Sequence, residues 1–178
     1  MDLIIRAAQF ASKQHAGQKR KFNNRPYITH PIRVAGRVAT HKMATKELVA
    51  ASFLHDVVED CTPLNTDHSV LFSEIEDVFG GMVVYYVKDL TNDKDTKGNR
   101  ADRKKANREK IKGICLESKL VKLIDRIDNL YEMPESDGFA IVYAKESILL
   151  LDECLTGVDA ELEAELRNRC LDIFDLYS

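Results

Sequence analysis

Four ionisable side chains interrupt the apolar segment FLHDVVEDCT, and this segment places the strongest constraint on the fold. His55 and Asp56 are adjacent, and two valines separate them from Glu59 and Asp60. With a helical spacing of four, His55 and Glu59 share one face, as do Asp56 and Asp60. Burying such groups is costly unless a metal or a partner compensates them. The segment therefore predicts either a metal-binding helix or a solvated helix end.

Two distant segments each offer one further ligand. His30 ends the run HAGQKRKFNNRPYITH, and Asp125 lies inside VKLIDRIDNL. With His55 and Asp56 they form a mixed nitrogen and oxygen set, which suits Mn²⁺, Fe²⁺, Co²⁺, Ni²⁺ or Zn²⁺ better than calcium. Such an ion acidifies bound water and polarises a phosphoryl oxygen, so the set indicates hydrolysis of a phosphate ester. Glu59 and Asp60, one turn beyond the pair, are predicted to orient or deprotonate the water.

The helix around Asp125 can be read at about 100° per residue. Its predicted core stripe consists of Leu120, Ile124, Ile127 and Tyr131. Asp125 projects beside this stripe, together with Asp128 and Asn129, where its carboxylate could reach a metal held by another helix. The alternative is that Asp125 pairs with Arg126 or with a surface lysine.

Composition predicts a soluble cytoplasmic protein with one domain over residues 1–178. The 178 residues are 44% hydrophobic and 31% charged, and no apolar run is long enough to span a membrane. Asp2 and Arg6 interrupt any signal-peptide core, and the four scattered cysteines favour reduced thiols. The net charge of −3 argues against nucleic-acid binding, whereas local basic clusters suit a small polyanion. Composition leaves the oligomeric state open.

Helical periodicity extends along nearly the whole chain, and no convincing strand alternation interrupts it. The sequence therefore predicts an all-α helical bundle. Its predicted helices cover about residues 2–16, a segment opening at 29–31, 45–61, 73–81, 82–90, 100–115, 118–133 and 139–155, and a final helix from 159. The last two form a C-terminal pair over residues 139–177.

The order His30, His55-Asp56, Asp125 resembles the HD phosphohydrolase superfamily. The surrounding words HAGQKRKFNNRPYITHPIRVA, AASFLHDVVED, FGGMVVYYVKDLT and VKLIDRIDNL are similar to the hydrolase domain of the RelA/SpoT alarmone enzymes. They cover most of residues 7–132 in the family's order. The length predicts a stand-alone small alarmone hydrolase similar to the metazoan SpoT homologue.

The resemblance implies a single HD domain in which His30, His55, Asp56 and Asp125 bind one Mn²⁺ ion. It implies that Glu59 and Asp60 are catalytic and activate water. The implied activity is hydrolysis of the 3′-pyrophosphate of guanosine 3′,5′-bis-diphosphate (ppGpp) or of its pentaphosphate relative, which yields GDP or GTP and pyrophosphate. The implied substrate-binding residues are Arg20, Lys21, Asn129 and Tyr143.

Two other functions remain open at this point. The loop RKFNNRP is one residue longer than the RK-x-G-x-P form of the family, and the 61–73 connection is also long. These changes would permit another 2′- or 3′-phosphorylated nucleotide as substrate, such as NADPH or an adenosine alarmone. A non-catalytic nucleotide-binding or partner-binding module would show loss of a ligand or of Glu59-Asp60, and neither is lost.

Overall fold

Every regular element in the described part of the chain is helical. The computed structural model describes residues 2–62, 67–92, 98–134 and 138–176. These residues confirm the all-α prediction, since their β contacts amount to an isolated bridge between Lys19 and Pro26. The helices are α1 (Leu3–Gln14), α2 (Thr29–Ala39), α3 (Lys46–Leu54), α4 (Val57–Cys61), α5 (His68–Phe79), α6 (Gly81–Leu90), α7 (Arg100–Gly113), α8 (Leu116–Glu132), α9 (Gly138–Leu150) and α10 (Ala160–Asp175). A short π-helix, Leu151–Leu155, continues α9.

The helices fall into two compact units, Met1–Asn92 and Asp93–Ser178. In the first unit, α3 packs against α1, α2 and α6. Its residues Leu48 to Ser52 are all buried, so α3 has no polar face. A helix that is apolar on all sides needs neighbours all round, and α3 is therefore the central helix of this unit. The assignment of residues 1–178 to one domain stays a prediction.

In the second unit, α8 packs against α9, α10 and the π-helix. Leu120, Ile124 and Ile127 are buried, as the periodicity predicted. Tyr131 is 57% exposed, so its assignment to the core stripe was wrong. It lies in the last turn of α8, where its ring contacts the guanidinium of Arg169 instead of the core, 5.2 Å from Cζ to the ring centroid.

Several helix starts follow local rules and were predicted correctly. Thr45 caps α3 by accepting a hydrogen bond from the amide of Leu48 at 3.1 Å. Asp159 caps α10 in the same way. The second helix begins at Thr29, so that Pro31 falls in its first turn, where proline is tolerated.

The predicted continuous helix over residues 45–61 is wrong. The chain leaves the helix at His55 and Asp56 and re-enters it at Val57, so that Asp56 is the N-cap of α4. The backbone of Asp56 has φ −98° and ψ −8°. Adjacent side chains in a regular helix diverge by about 100°. The interruption instead lets these two side chains meet, with His55 Nε2 3.1 Å from Asp56 Oδ2.

The predicted start of the helix at 73 is wrong, because Asp67 caps α5 by accepting a hydrogen bond from the Ser69 amide and the helix begins at His68. The rest of the predicted connection, 63–66, and parts of the predicted loops at 91–99 and 134–138 lie outside the described residues. Within the described residues, none of the four cysteines forms a disulfide. No helix in those same parts of the chain combines the length and the apolar character needed to cross a membrane.

The Thr45 cap gives a direct test of this architecture, because α3 leads into the His55-Asp56 turn. Thr45→Ala removes the side-chain acceptor and should lower the free energy of unfolding by about 1 kcal/mol in chemical denaturation. Thr45→Ser keeps the hydroxyl and should retain most of the stability. Equal losses in both variants would show that the cap does not stabilise α3.

Candidate metal centre

Three side chains of the first unit converge on one point. His30 comes from α2, and His55 and Asp56 come from the turn between α3 and α4. One donor atom from each lies within 4.8 Å of the others. Asp56 Oδ2 is 3.1 Å from His55 Nε2 and 3.5 Å from His30 Nε2. Both imidazoles are buried, at 0% and 1% exposure, so the cluster is closed to bulk water on the histidine side.

The orientation of His55 is fixed by the helix that precedes it. Its Nδ1 lies 2.8 Å from the backbone carbonyl of Ser52, and since a carbonyl can only accept, Nδ1 carries the proton. The other ring nitrogen, Nε2, therefore faces Asp56 and is the atom of His55 that can bind a cation. A histidine ligand held through its other nitrogen is the usual arrangement in metal sites.

Asp56 carries the negative charge of the cluster. Burial by itself would raise the pKa of this carboxyl, but the neighbouring His55 and His30 and the Tyr27 hydroxyl hold it well below its ordinary value. The Tyr27 hydroxyl donates to Asp56 Oδ2 at 2.8 Å. Burial and the nearby acidic charges raise the pKa of Tyr27, so its hydroxyl stays protonated and keeps donating.

Tyr27 is also the centre of an aromatic layer beside the three ligands. His15 stacks on it with 4.7 Å between ring centroids, and His30 meets its edge at 6.1 Å. The Arg20 guanidinium lies over the same ring, 5.2 Å from Cζ to the centroid. Burial is the main cause that lowers the pKa of His15, so its ring is neutral. Tyr27 thus contacts both a predicted metal ligand and a predicted substrate residue.

The loop that carries Arg20 and Lys21 is closed by backbone hydrogen bonds. The Arg20 amide donates to the Arg25 carbonyl at 2.8 Å, and the Asn24 amide donates to the Arg20 carbonyl at 3.1 Å. Asn24 has φ 56°, in the left-handed region that asparagine tolerates. Lys21 is exposed, and its Nζ lies 4.9 Å from the centroid of the Phe22 ring.

The two predicted catalytic acids have different surroundings on α4. Asn92 binds both oxygens of Glu59, with its Nδ2 at 3.0 and 2.8 Å and its backbone amide at 3.2 Å. Asp60 is exposed. Desolvation by the surrounding chain, followed by the negative charge of Asp56, nevertheless raises the pKa of Asp60 to about 6. Glu59 is therefore fixed in position, whereas Asp60 has a raised pKa.

The remaining predicted residues lie in the second unit. Asp125 on α8 is buried; it accepts a hydrogen bond from Asn129 Nδ2 at 2.6 Å and lies 4.0 Å from Lys122 Nζ. The ring of Tyr143 on α9 lies beneath the Arg126 guanidinium at 4.4 Å. The role of Asp125 as a fourth ligand stays a prediction, as do the substrate roles of Asn129 and Tyr143.

Tyr27 and Asn92 were not predicted as site residues, although each contacts a residue that was. Tyr27 stands three residues before His30 in PYITH, and this short spacing to a ligand was its one available signal. Asn92 follows α6 and lies 33 positions from Glu59, so nothing local in the sequence connects them.

The donor set fits a divalent transition metal. Two imidazole nitrogens and one carboxylate oxygen are the ligands that such ions prefer, and three protein ligands leave room for water or substrate. The hydrogen bond of His55 Nδ1 turns Nε2 towards Asp56, and the lowered pKa of Asp56 keeps its carboxylate ionised, as metal binding requires.

Comparison with known proteins relates the chain to HD domains. The HD domain family matches residues 7–148. A Danio rerio protein named guanosine-3′,5′-bis(diphosphate) 3′-pyrophosphohydrolase MESH1 is 31% identical over 96% of this chain and 93% of its own length. The Homo sapiens protein of the same name is 37% identical over 73% of this chain and 69% of its own. The solved structure of a metazoan SpoT orthologue that hydrolyses ppGpp matches with a TM-score of 0.77 and 27% identity, covering 100% of this chain and 97% of that one.

The Tyr27 hydroxyl should contribute to metal affinity because it orients Asp56. Tyr27→Phe removes this hydrogen bond and keeps the ring, so the Kd for Mn²⁺ should rise about tenfold in competition with a fluorescent chelator. Tyr85→Phe changes an exposed tyrosine of α6 and serves as the matched control. If Tyr27→Phe binds Mn²⁺ as the parent does, Tyr27 does not position the ligand.

Proposed function

Because this chain belongs to the HD domain family, we propose that it is a metal-dependent hydrolase that removes the 3′-pyrophosphate from ppGpp and its pentaphosphate relative. The convergence of His30, His55 and Asp56 within 4.8 Å is the observation that carries this proposal. Relatives named for this activity, one similar over 96% of the chain, support the choice of substrate. The reaction adds water across the O3′–phosphorus bond: hydroxide goes to phosphorus and a proton goes to the 3′ oxygen.

We propose that Asp125 completes the ligand set and that the ion is Mn²⁺. The Asp125 carboxylate is buried on α8 and accepts a hydrogen bond from Asn129 at 2.6 Å, which holds it in position. When bound, such an ion would acidify water and polarise an oxygen of the phosphoryl group that the water attacks. The nitrogen and oxygen donors would also accept Fe²⁺, Co²⁺, Ni²⁺ or Zn²⁺. Activity should therefore be compared with each of these ions as well as with Mn²⁺.

The two acids of α4 take separate roles in this proposal. A group that gives and takes protons works best when its pKa lies near the working pH, and the raised pKa of Asp60, about 6, supports this role. Asn92 holds both oxygens of Glu59, so Glu59 suits the orientation of water. Asp60 would then accept a proton as water attacks and return it to the 3′ oxygen as that oxygen leaves.

For the nucleotide, we assign base stacking to Arg20 and phosphate binding to Lys21. The Arg20 guanidinium already lies over Tyr27, and a purine on its opposite face would extend the same stack. Lys21 is exposed and suits contact with a mobile phosphate. Asn129 is proposed to lie near the ribose or the leaving phosphate, and Tyr143 to line the nucleotide pocket. The cytoplasm stays the predicted location.

A substrate panel tests this function. The protein, loaded with Mn²⁺ or treated with chelator, should be incubated with ppGpp, NADPH and 3′-phosphorylated adenosine nucleotides, and the products separated by ion exchange. We expect the Mn²⁺-loaded protein to release GDP and pyrophosphate from ppGpp, and the chelator-treated protein to release neither. Asp125→Ala should lose both turnover and the rise in melting temperature that Mn²⁺ produces.

Each adverse result points to a different error. Turnover of NADPH or of an adenosine nucleotide without turnover of ppGpp would assign this site to another phosphorylated nucleotide. An Asp125→Ala variant that binds Mn²⁺ like the parent would remove Asp125 from the ligand set.

Glu59→Gln separates chemistry from binding. Glutamine can still accept from Asn92 but cannot carry the charge, so Mn²⁺ affinity and KM should stay near the parent values. The kcat should fall by about 10² or more, as expected on loss of a positioned acid or base. Glu74→Gln, an exposed change on α5, is the control. Normal turnover by Glu59→Gln would exclude Glu59 from the mechanism.

A further inference from the structure

Arg126, on α8 in the second unit, is a buried cation with no acidic contact among the described residues. It is 5% exposed. Its guanidinium contacts the ring of Tyr143, 4.4 Å from Cζ to the centroid, and lies 3.5 Å from the Ser147 hydroxyl. Neither neighbour carries a negative charge. A buried charge without an opposite charge destabilises a fold strongly, so this guanidinium needs an anion that the described side chains do not supply.

A second cation, Lys104 of α7, approaches the same turn of α9, since Glu146 near Lys104 adjoins Ser147 near Arg126. Among the described residues, Lys104 makes one contact with a carboxylate, and it is long: Nζ lies 3.8 Å from Glu146 Oε2. Arg100 already takes both oxygens of Glu146, with Nε at 2.7 Å and Nη2 at 2.9 Å. Arg100 therefore neutralises Glu146, and the charge on Lys104 is poorly compensated.

The positive charge of Arg126 also affects the protonation of Lys104. Burial lowers the pKa of Lys104 to about 8, and the positive charge of Arg126 is the next contribution. Arg100 and Lys122 add to the same repulsion, and Glu146 opposes it. A multiply charged anion between the two side chains would remove this repulsion, whereas a second protein carboxylate is not present there among the described residues.

We propose that Lys104 and Arg126 form a binding site for a phosphate group. A phosphate carries up to two negative charges at neutral pH and so matches two cations better than a carboxylate does. The guanidinium fork can bind two phosphate oxygens at once, and the lysine ammonium acts as a point charge on the third. The contact with the Tyr143 ring orients the Arg126 guanidinium in the absence of phosphate.

The phosphate can come from two sources, the substrate itself or a separate nucleotide. If the substrate supplies it, the site deepens the proposed function by binding a phosphate that is not cleaved, and this part of the inference rests on that function. If a separate nucleotide supplies it, the site is independent of turnover.

Binding of inorganic phosphate tests the site directly. The full chain should be titrated by calorimetry with sodium phosphate in chelator, with chloride at equal ionic strength as the reference, and again after Mn²⁺ loading. Lys104→Met should weaken the affinity for phosphate about tenfold, the scale expected on losing one charge-assisted contact. Lys105→Met changes the exposed neighbouring lysine of α7 and should bind phosphate like the parent.

Arg126→Lys provides a second variant, because it keeps the buried charge and removes the fork. It too should bind phosphate more weakly, with a melting temperature close to that of the parent. Parent protein that responds to phosphate no more than to chloride would overturn the proposal. So would Lys104→Met and Arg126→Lys variants that bind phosphate like the parent.

Steady-state kinetics then identify the source. If the substrate's own phosphate fills the site, Lys104→Met should raise KM for ppGpp by about the factor by which it weakens inorganic phosphate. If a separate nucleotide fills it, KM should stay unchanged while phosphate binding still falls. The calorimetry needs no turnover, so a failure of the hydrolase proposal and a failure of the phosphate site give different results.

Discussion

The carboxylate of Asp56, 3.1 Å from His55 and 3.5 Å from His30, is the interaction on which the first unit depends. A negative charge at this depth requires compensation, and here two imidazoles and the Tyr27 hydroxyl surround it. The chain interrupts a helix to bring His55 and Asp56 together, which costs backbone hydrogen bonds that a continuous helix would make. Binding of a cation by the converging donors would offset this loss of hydrogen bonds.

The contacts around this cluster connect the candidate ligands to the basic loop and to α4. Tyr27 donates to Asp56 while its ring lies under the Arg20 guanidinium, so the ligand and the basic loop share one support. Asn92 holds Glu59 from the end of α6. A single core, centred on α3, thereby fixes the distances between groups that come from four separate segments.

The second unit buries charge in a different way. Its central helix α8 is almost wholly enclosed, yet it carries Asp125 and Arg126 side by side. Asp125 is satisfied by neighbours one turn away on the same helix, Asn129 and Lys122. Arg126 faces α9, where it meets an aromatic ring instead of a carboxylate. Asp125 and Arg126 therefore contact different neighbours. In our proposals they also bind different ligands, a metal ion and a phosphate group.

The sequence by itself determined the helical class, several helix starts and the residue types of the candidate metal centre. Helix starts at Thr45 and Asp159 depend on side chains that bond amides two or three residues away, so local sequence contains the whole cause. Tertiary structure alone decided the break at His55-Asp56, the exposure of Tyr131 and the contacts of Tyr27 and Asn92. The Tyr27 and Asn92 contacts join residues 29 and 33 positions apart, and the ring of Tyr131 meets Arg169 from another helix. Periodicity cannot report contacts between segments that meet only after packing.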